Sequence, residues 1–84
     1  MKNIGRKWLE KYYYVDISCD GELWFSKEED KNEFQNHIDI DYVDKKVSFF
    51  KQKGFEYKEW NPDYETIIAV FNRIMELTKE NKNE

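Results

Sequence analysis

Residues Lys11 to Ser18 alternate, with Tyr13, Val15 and Ile17 on one side and Tyr12, Tyr14, Asp16 and Ser18 on the other, and Asp20-Gly21 follows at once. A period of two is that of a half-buried strand, and Asp-Gly is a hairpin turn signal. A chain built this way is expected to begin its sheet with a hairpin here. A two-residue loop at Asp20-Gly21 would pair Ile17 with Trp24 and turn Leu23 and Phe25 to the polar side. A three-residue loop, Cys19-Asp20-Gly21 with Gly21 left-handed, pairs Ile17 with Leu23 and Val15 with Phe25, so all four share one face. In that register Asp16 lies opposite Trp24 and Tyr14 opposite Ser26. Tyr12, Tyr14 and Trp24 then form an outward aromatic stripe.

The rest of the chain is read around this hairpin. Ser26-Lys27-Glu28-Glu29 has the pattern of a capping box and predicts a short surface helix to about Asn36, with Phe34 and Ile38 as its apolar pair. Residues 38 to 42 alternate like a strand, but Val43, Val47 and Phe50 recur at helical spacing. Asp41 is suited to capping a helix over 42–53, and Gly54 to ending it. The alternative is a hairpin turning at 51–54. Phe55 to Trp60 reads as a third strand, with Phe55 and Tyr57 inward. Asn61-Pro62-Asp63 starts a helix to about Lys79, with Asn61 as N-cap and Pro62 at the first helical position. Its apolar face of Tyr64, Ile67, Ile68, Phe71, Ile74 and Met75 is expected to cover the sheet. The predicted fold is α+β: one domain over 1–84, a three-stranded sheet with an N-terminal antiparallel hairpin, order ββααβα, and a polar tail at 79–84.

Composition narrows function. The 84 residues are 39% hydrophobic and 38% charged, with 15 aromatics, which is core enough for a folded domain. No apolar run spans a bilayer and the first residues lack a secretory pattern, so a cytoplasmic protein with no membrane partner is expected. Cys19 alone closes no intrachain disulfide, and one Cys with one His leaves no zinc site. The net charge of −4 is concentrated: residues 20–44 hold nine acids against Lys27 and Lys31. Such a segment repels phosphate and attracts cationic surfaces.

Chemistry-bearing patterns are sparse. His37, Asp39 and Asp41 would point the same way on a strand, the donor types of a metal site, but three such acceptors beside a helix-to-helix junction are more often loop polarity and capping, and no metal is expected. Cys19 has no base within its neighbourhood in sequence, the many carboxylates lack an apolar pocket to tune one of them, and there is no phosphate-binding loop or serine elbow. Neither an enzyme nor a cofactor is expected. Lys53-Gly54-Phe55-Glu56-Tyr57-Lys58-Glu59-Trp60 resembles the RNP1 octapeptide of RNA-recognition-motif domains at its basic, Gly and aromatic positions. The resemblance covers eight residues and implies base stacking on a sheet; Glu56 and Lys58 depart from the pattern, and no RNP2 partner is present.

The expectation is therefore a non-enzymatic protein–protein interaction domain, similar in type to the small inhibitors of phages and mobile elements. Glu28, Glu29, Asp30, Glu33, Asp39, Asp41 and Asp44 would meet a partner's basic, nucleic-acid-binding surface, with Tyr12, Tyr14 and Trp24 as anchors. The alternatives are single-stranded nucleic-acid binding by stacking on Tyr12, Tyr14, Trp24 or Phe55 aided by Lys51, Lys53 and Lys58, and a homodimer sealed by the aromatic stripe.

Overall fold

The computed structural model describes residues 5–27 and 33–82, with side chains to Thr78. The elements run α1 (Arg6–Tyr12), β1 (Tyr13–Ser18), β2 (Gly21–Ser26), β3 (Gln35–Asp41), β4 (Lys46–Lys53), β5 (Glu56–Glu59) and α2 (Tyr64–Lys82). The fold is α+β with an antiparallel sheet and a C-terminal helix, but the sheet has five strands rather than three and the order is αβββββα. The strands form a meander, β1-β2-β3-β4-β5, each antiparallel to the next. Two compact units are present, residues 12–61 and residues 1–11 with 62–84.

In the first unit the β1–β2 loop is Cys19-Asp20, which pairs Ser18 with Gly21 and Val15 with Trp24. This overturns the expected three-residue loop. Gly21 does not adopt a positive φ; it is required because β3 passes close by, and a Cβ there would lie 2.2 Å from the Ile40 carbonyl oxygen. Shifting the register by one residue exchanges the faces of β2. Trp24 therefore points into the core, fully buried with Tyr13, Ile38 and Ile40, and Leu23 and Phe25 take the opposite face. The Trp24 indole N–H donates to the Glu22 carboxyl at 2.9 Å, and the Tyr42 hydroxyl donates to its other oxygen at 2.7 Å. These bonds satisfy a side chain that burial would otherwise penalise.

The predicted helix over 42–53 is a hairpin. Asp41 Oδ1 accepts the N–H groups of Val43 and Asp44, at 2.9 and 3.0 Å, the bonds a helix N-cap would make. Lys45 then takes φ 55 and reverses the chain, so that β4 pairs with β3, Ile40 opposite Val47 and Ile38 opposite Phe49. Gly54, expected to end a helix, has φ 60 and is the first residue of the two-residue β4–β5 loop, the position where a type II′ turn demands it. Phe55 stands fully exposed at that turn and Tyr57 is exposed on β5, which corrects their expected inward placement. The predicted helix from Ser26 is absent at both described ends: Ser26 closes β2, and Gln35 and Asn36 open β3. Its middle, 28–32, lies outside the described residues.

In the second unit α2 starts two residues later than predicted. Asp63, not Asn61, is the N-cap, accepting the Thr66 N–H at 2.9 Å. Hydrogen bonds from the Thr66 hydroxyl and then its N–H hold the Asp63 carboxyl below the usual range. Thr66, Ala69, Val70 and Arg73 are the buried residues of this helix, whereas Tyr64, Ile67, Phe71 and Met75 are exposed. Of the six residues of the predicted apolar face, only Ile68 and Ile74 are half-buried. At α1 the Arg6 N–H donates to Glu76 at 3.3 Å, and Glu76 also lies 3.6 Å from Arg73. Among the described residues no helix is long and apolar enough to cross a membrane.

Candidate aromatic ladder with an acidic end

Strand register determines which side chains meet, and here it assembles a row that no single segment contains. Tyr14, Phe25, His37 and Phe50 are direct cross-strand neighbours on β1, β2, β3 and β4, on the face opposite Trp24. Their ring centroids are 5.8, 6.1 and 4.8 Å apart in turn, and Tyr57 of β5 extends the row 5.8 Å beyond Phe50. The direct partner of Phe50 on β5 is Glu59, so Tyr57, opposite Gln52, joins diagonally; the five rings from five strands still make a continuous row across the sheet, at the spacings of favourable aromatic pairs. Four strand spacings give it a length of roughly 19 Å. Tyr14 and Tyr57 are exposed at its ends, Phe25 and Phe50 half-buried, and His37 buried between them.

His37 is fixed within the row. Its Nδ1 lies 2.9 Å from the Gln35 carbonyl, and because a carbonyl only accepts, Nδ1 carries the proton. The Gln35 amide in turn donates to the Ser26 carbonyl, tying β3 to the end of β2. At the Tyr14 end, the Lys27 ammonium lies 5.5 Å from the ring centroid, so the row already holds one cation in its own structure.

Carboxylates lie one step along the same face. Two residues beyond Tyr14 and His37 come Asp16 and Asp39, about 6.8 Å along their strands, with Leu23 between them. The next row is Ser18, Gly21, Asp41 and Lys46. Because Gly21 has no side chain and Leu23 is half-buried, this end is a shallow hollow lined by Asp16, Asp20, Leu23, Asp39 and Asp41. No salt bridge joins Asp16 or Asp39 to a described cation. Asp41 spends one oxygen on its turn.

Of the residues singled out from sequence, Tyr14, Asp39 and Asp41 come together here. Trp24 is in the core on the other face. Tyr12 ends α1 rather than lying in the strand, Glu33 precedes β3, and Asp44 sits in the β3–β4 turn; all three are exposed. Glu28, Glu29 and Asp30 lie outside the described residues. Asp16, Phe25, His37, Phe50 and Tyr57 complete the site and were not among those expected to form it. The signal for Phe50 was the adjacent pair Phe49-Phe50, which on a strand supplies one ring to each face: Phe49 meets Trp60 edge-on at 5.9 Å on the other side.

His37, Asp39 and Asp41 do share a strand face, yet among the described residues no three His, Cys, Asp or Glu side chains are gathered as a metal would require. In the RNP1-like octapeptide only Tyr57 joins the ladder. Lys51, Lys53 and Lys58 project from the opposite face by register, where Lys53 and Lys58 lie 5.8 and 4.6 Å from the Phe34 ring. The lysines expected to assist base stacking are thus separated from the rings by the sheet itself. Comparison with protein-family models, curated proteins and solved structures gave no match.

Proposed function

We propose that this chain is a non-enzymatic protein-binding domain whose ladder face takes up an arginine- or lysine-bearing segment of a partner, covering that basic surface. The observation that carries the reading is the five-ring row with Asp16 and Asp39 one step along the same face. Its exposed rings, Tyr14 and Tyr57, give contact area at low rotamer cost, and a guanidinium stacks on such a ring for roughly 0.5–1 kcal/mol at an exposed site. The carboxylates decide the sign of the ligand. They repel phosphate and pair with guanidinium or ammonium, and an extended segment of about six residues matches the ladder's length. Where the bound segment is the nucleic-acid-binding surface of another protein, occupancy makes the domain an inhibitor by steric and electrostatic block.

The test is an NMR titration of the labelled domain with an arginine-rich nonapeptide and, separately, with a single-stranded dT oligonucleotide. Expected are peptide-induced shifts at Tyr14, Phe25, Phe50 and Tyr57, weakening as salt rises. The double variant Asp16→Lys with Asp39→Lys should lose at least tenfold in affinity, and Tyr14→Ala with Tyr57→Ala a similar factor. Peptide binding unchanged by both pairs, or shifts along the ladder produced by the oligonucleotide instead, would refute the reading.

A further inference from the structure

Helix α2 buries one mixed stripe and leaves a second, more apolar stripe exposed, where an amphipathic helix usually turns its apolar side inward. Its buried residues, Thr66, Ala69, Val70 and Arg73, follow i, i+3, i+4, i+7 along one stripe. Tyr64, Ile67, Phe71 and Met75 follow i, i+3, i+7, i+11 on nearly the opposite side, 77%, 46%, 64% and 52% exposed. Thr78 continues this second line, and because its hydroxyl donates to the Ile74 carbonyl at 3.1 Å, its methyl group is what it offers outward. The stripe is about 21 Å long at 1.5 Å per residue. Surface leucines and isoleucines scattered singly need no explanation, but four large side chains in line do.

We infer that this stripe is the seam of a homodimer in which α2 pairs antiparallel with α2 of a second copy. The spacing of the stripe, at positions 64, 67, 71, 75 and 78, is symmetric about Phe71. Under a two-fold axis there, Ile67 of one copy meets Met75 of the other, Tyr64 meets Thr78, and Phe71 meets its own counterpart, as an isologous interface requires. Charge on one flank agrees. Glu65 and Lys79 are fourteen residues apart, nearly four turns, and the antiparallel arrangement brings the Glu65 position of each copy within two residues, about 3 Å along the axis, of the Lys79 position of the other; a parallel pair would set Glu65 against Glu65. Antiparallel helices also oppose their dipoles favourably. Covering four side chains of this size removes on the order of 500 Å² of surface per copy, about 1,000 Å² in all, the area at which specific interfaces begin. The dimer is accordingly one of modest affinity.

Sedimentation equilibrium tests the seam. At about 100 μM, a concentration suited to an interface of this size, the wild-type chain should weigh twice its 10.4 kDa monomer mass. Phe71→Glu should return it to monomer while circular dichroism shows the helix intact, since the replaced ring is largely exposed. Glu65→Lys should weaken the dimer at least tenfold, and adding Lys79→Glu should restore it. Should Phe71→Glu fail to fold, Phe71→Cys on a Cys19→Ser background supplies an independent readout, with a disulfide-linked dimer expected on mild oxidation. A wild-type monomer at that concentration overturns the proposal, leaving the stripe to a different protein. So does a dimer undiminished by Phe71→Glu, which would move the seam elsewhere, or a charge reversal without effect, which would exclude the antiparallel register.

Discussion

Gly21→Ala is the substitution with the clearest structural price. The added methyl would sit 2.2 Å from the Ile40 carbonyl oxygen and 3.4 Å from Asp41 Cα, whereas carbon and oxygen normally approach no closer than about 3.3 Å. The obstruction is backbone on a central strand, so no rotamer change relieves it. β2 and β3 must separate by about 1 Å at the Gly21–Asp41 pair, which takes a ladder hydrogen bond near 2.9 Å out of range. It also strains the neighbouring bond from the Tyr42 N–H to the Asp20 carbonyl. Forced overpacking costs about 1–3 kcal/mol and each lost bond about 1 kcal/mol, giving roughly 2–4 kcal/mol. Domains of this size have roughly 4–12 kcal/mol in total, so the loss is a large fraction and lowers Tm by about 10–30 °C. Urea unfolding followed by fluorescence of the buried Trp24 measures it directly. A variant within about 0.5 kcal/mol of wild type, an ordinary surface effect, would refute the register that places Gly21 beneath Ile40.

Two further outcomes follow from the turns and the cap. Gly54→Ala should cost about 1 kcal/mol for a different reason, since a Cβ there meets nothing within 4 Å but the residue holds φ +60; Gly54→Asn should be milder, and equal losses for the two would exclude a left-handed requirement. Asp63→Asn should leave the helix capped yet flatten the acid dependence of stability. The Asp63 carboxyl is held low in the folded chain by Thr66, so its contribution is present above the unfolded carboxylate pKa of about 4 and lost as pH falls through the lower folded value. Urea midpoints of wild type and variant that run parallel between neutral and acidic pH would refute that role.

Local signals in this chain were often read with the right chemistry and the wrong consequence. Asp41 caps two N–H groups just as a helix N-cap would, and Gly54 adopts the left-handed conformation just as a helix C′ residue would. Between them, Val43, Val47 and Phe50 keep helical spacing, yet Val43 is exposed and the segment is a strand. The same two devices serve hairpins, and nothing within residues 41–54 distinguishes the outcomes. What does is β3: once Ile38 and Ile40 are buried, Val47 and Phe49 find cross-strand partners that a helix would forgo, and tertiary context overrides spacing. The β1–β2 hairpin shows how fine the margin is. Asp20-Gly21 correctly signalled a turn, but a loop shifted to Cys19-Asp20 reversed every side chain of β2, burying Trp24 and exposing the face that carries Phe25.

The candidate site divides in the same way. The sequence determined by itself that the chain is α+β, that its first hairpin is antiparallel, that a long helix follows Pro62, and that acids crowd residues 20–44, because these depend on composition, period and turn chemistry within a few residues. Only the tertiary structure decided that Tyr14, Phe25, His37, Phe50 and Tyr57 form one row beside Asp16 and Asp39. Those residues come from five strands spread over 44 positions, and their neighbourhood is a property of register. Register is set by which faces can be buried together and by where one glycine lets two backbones approach.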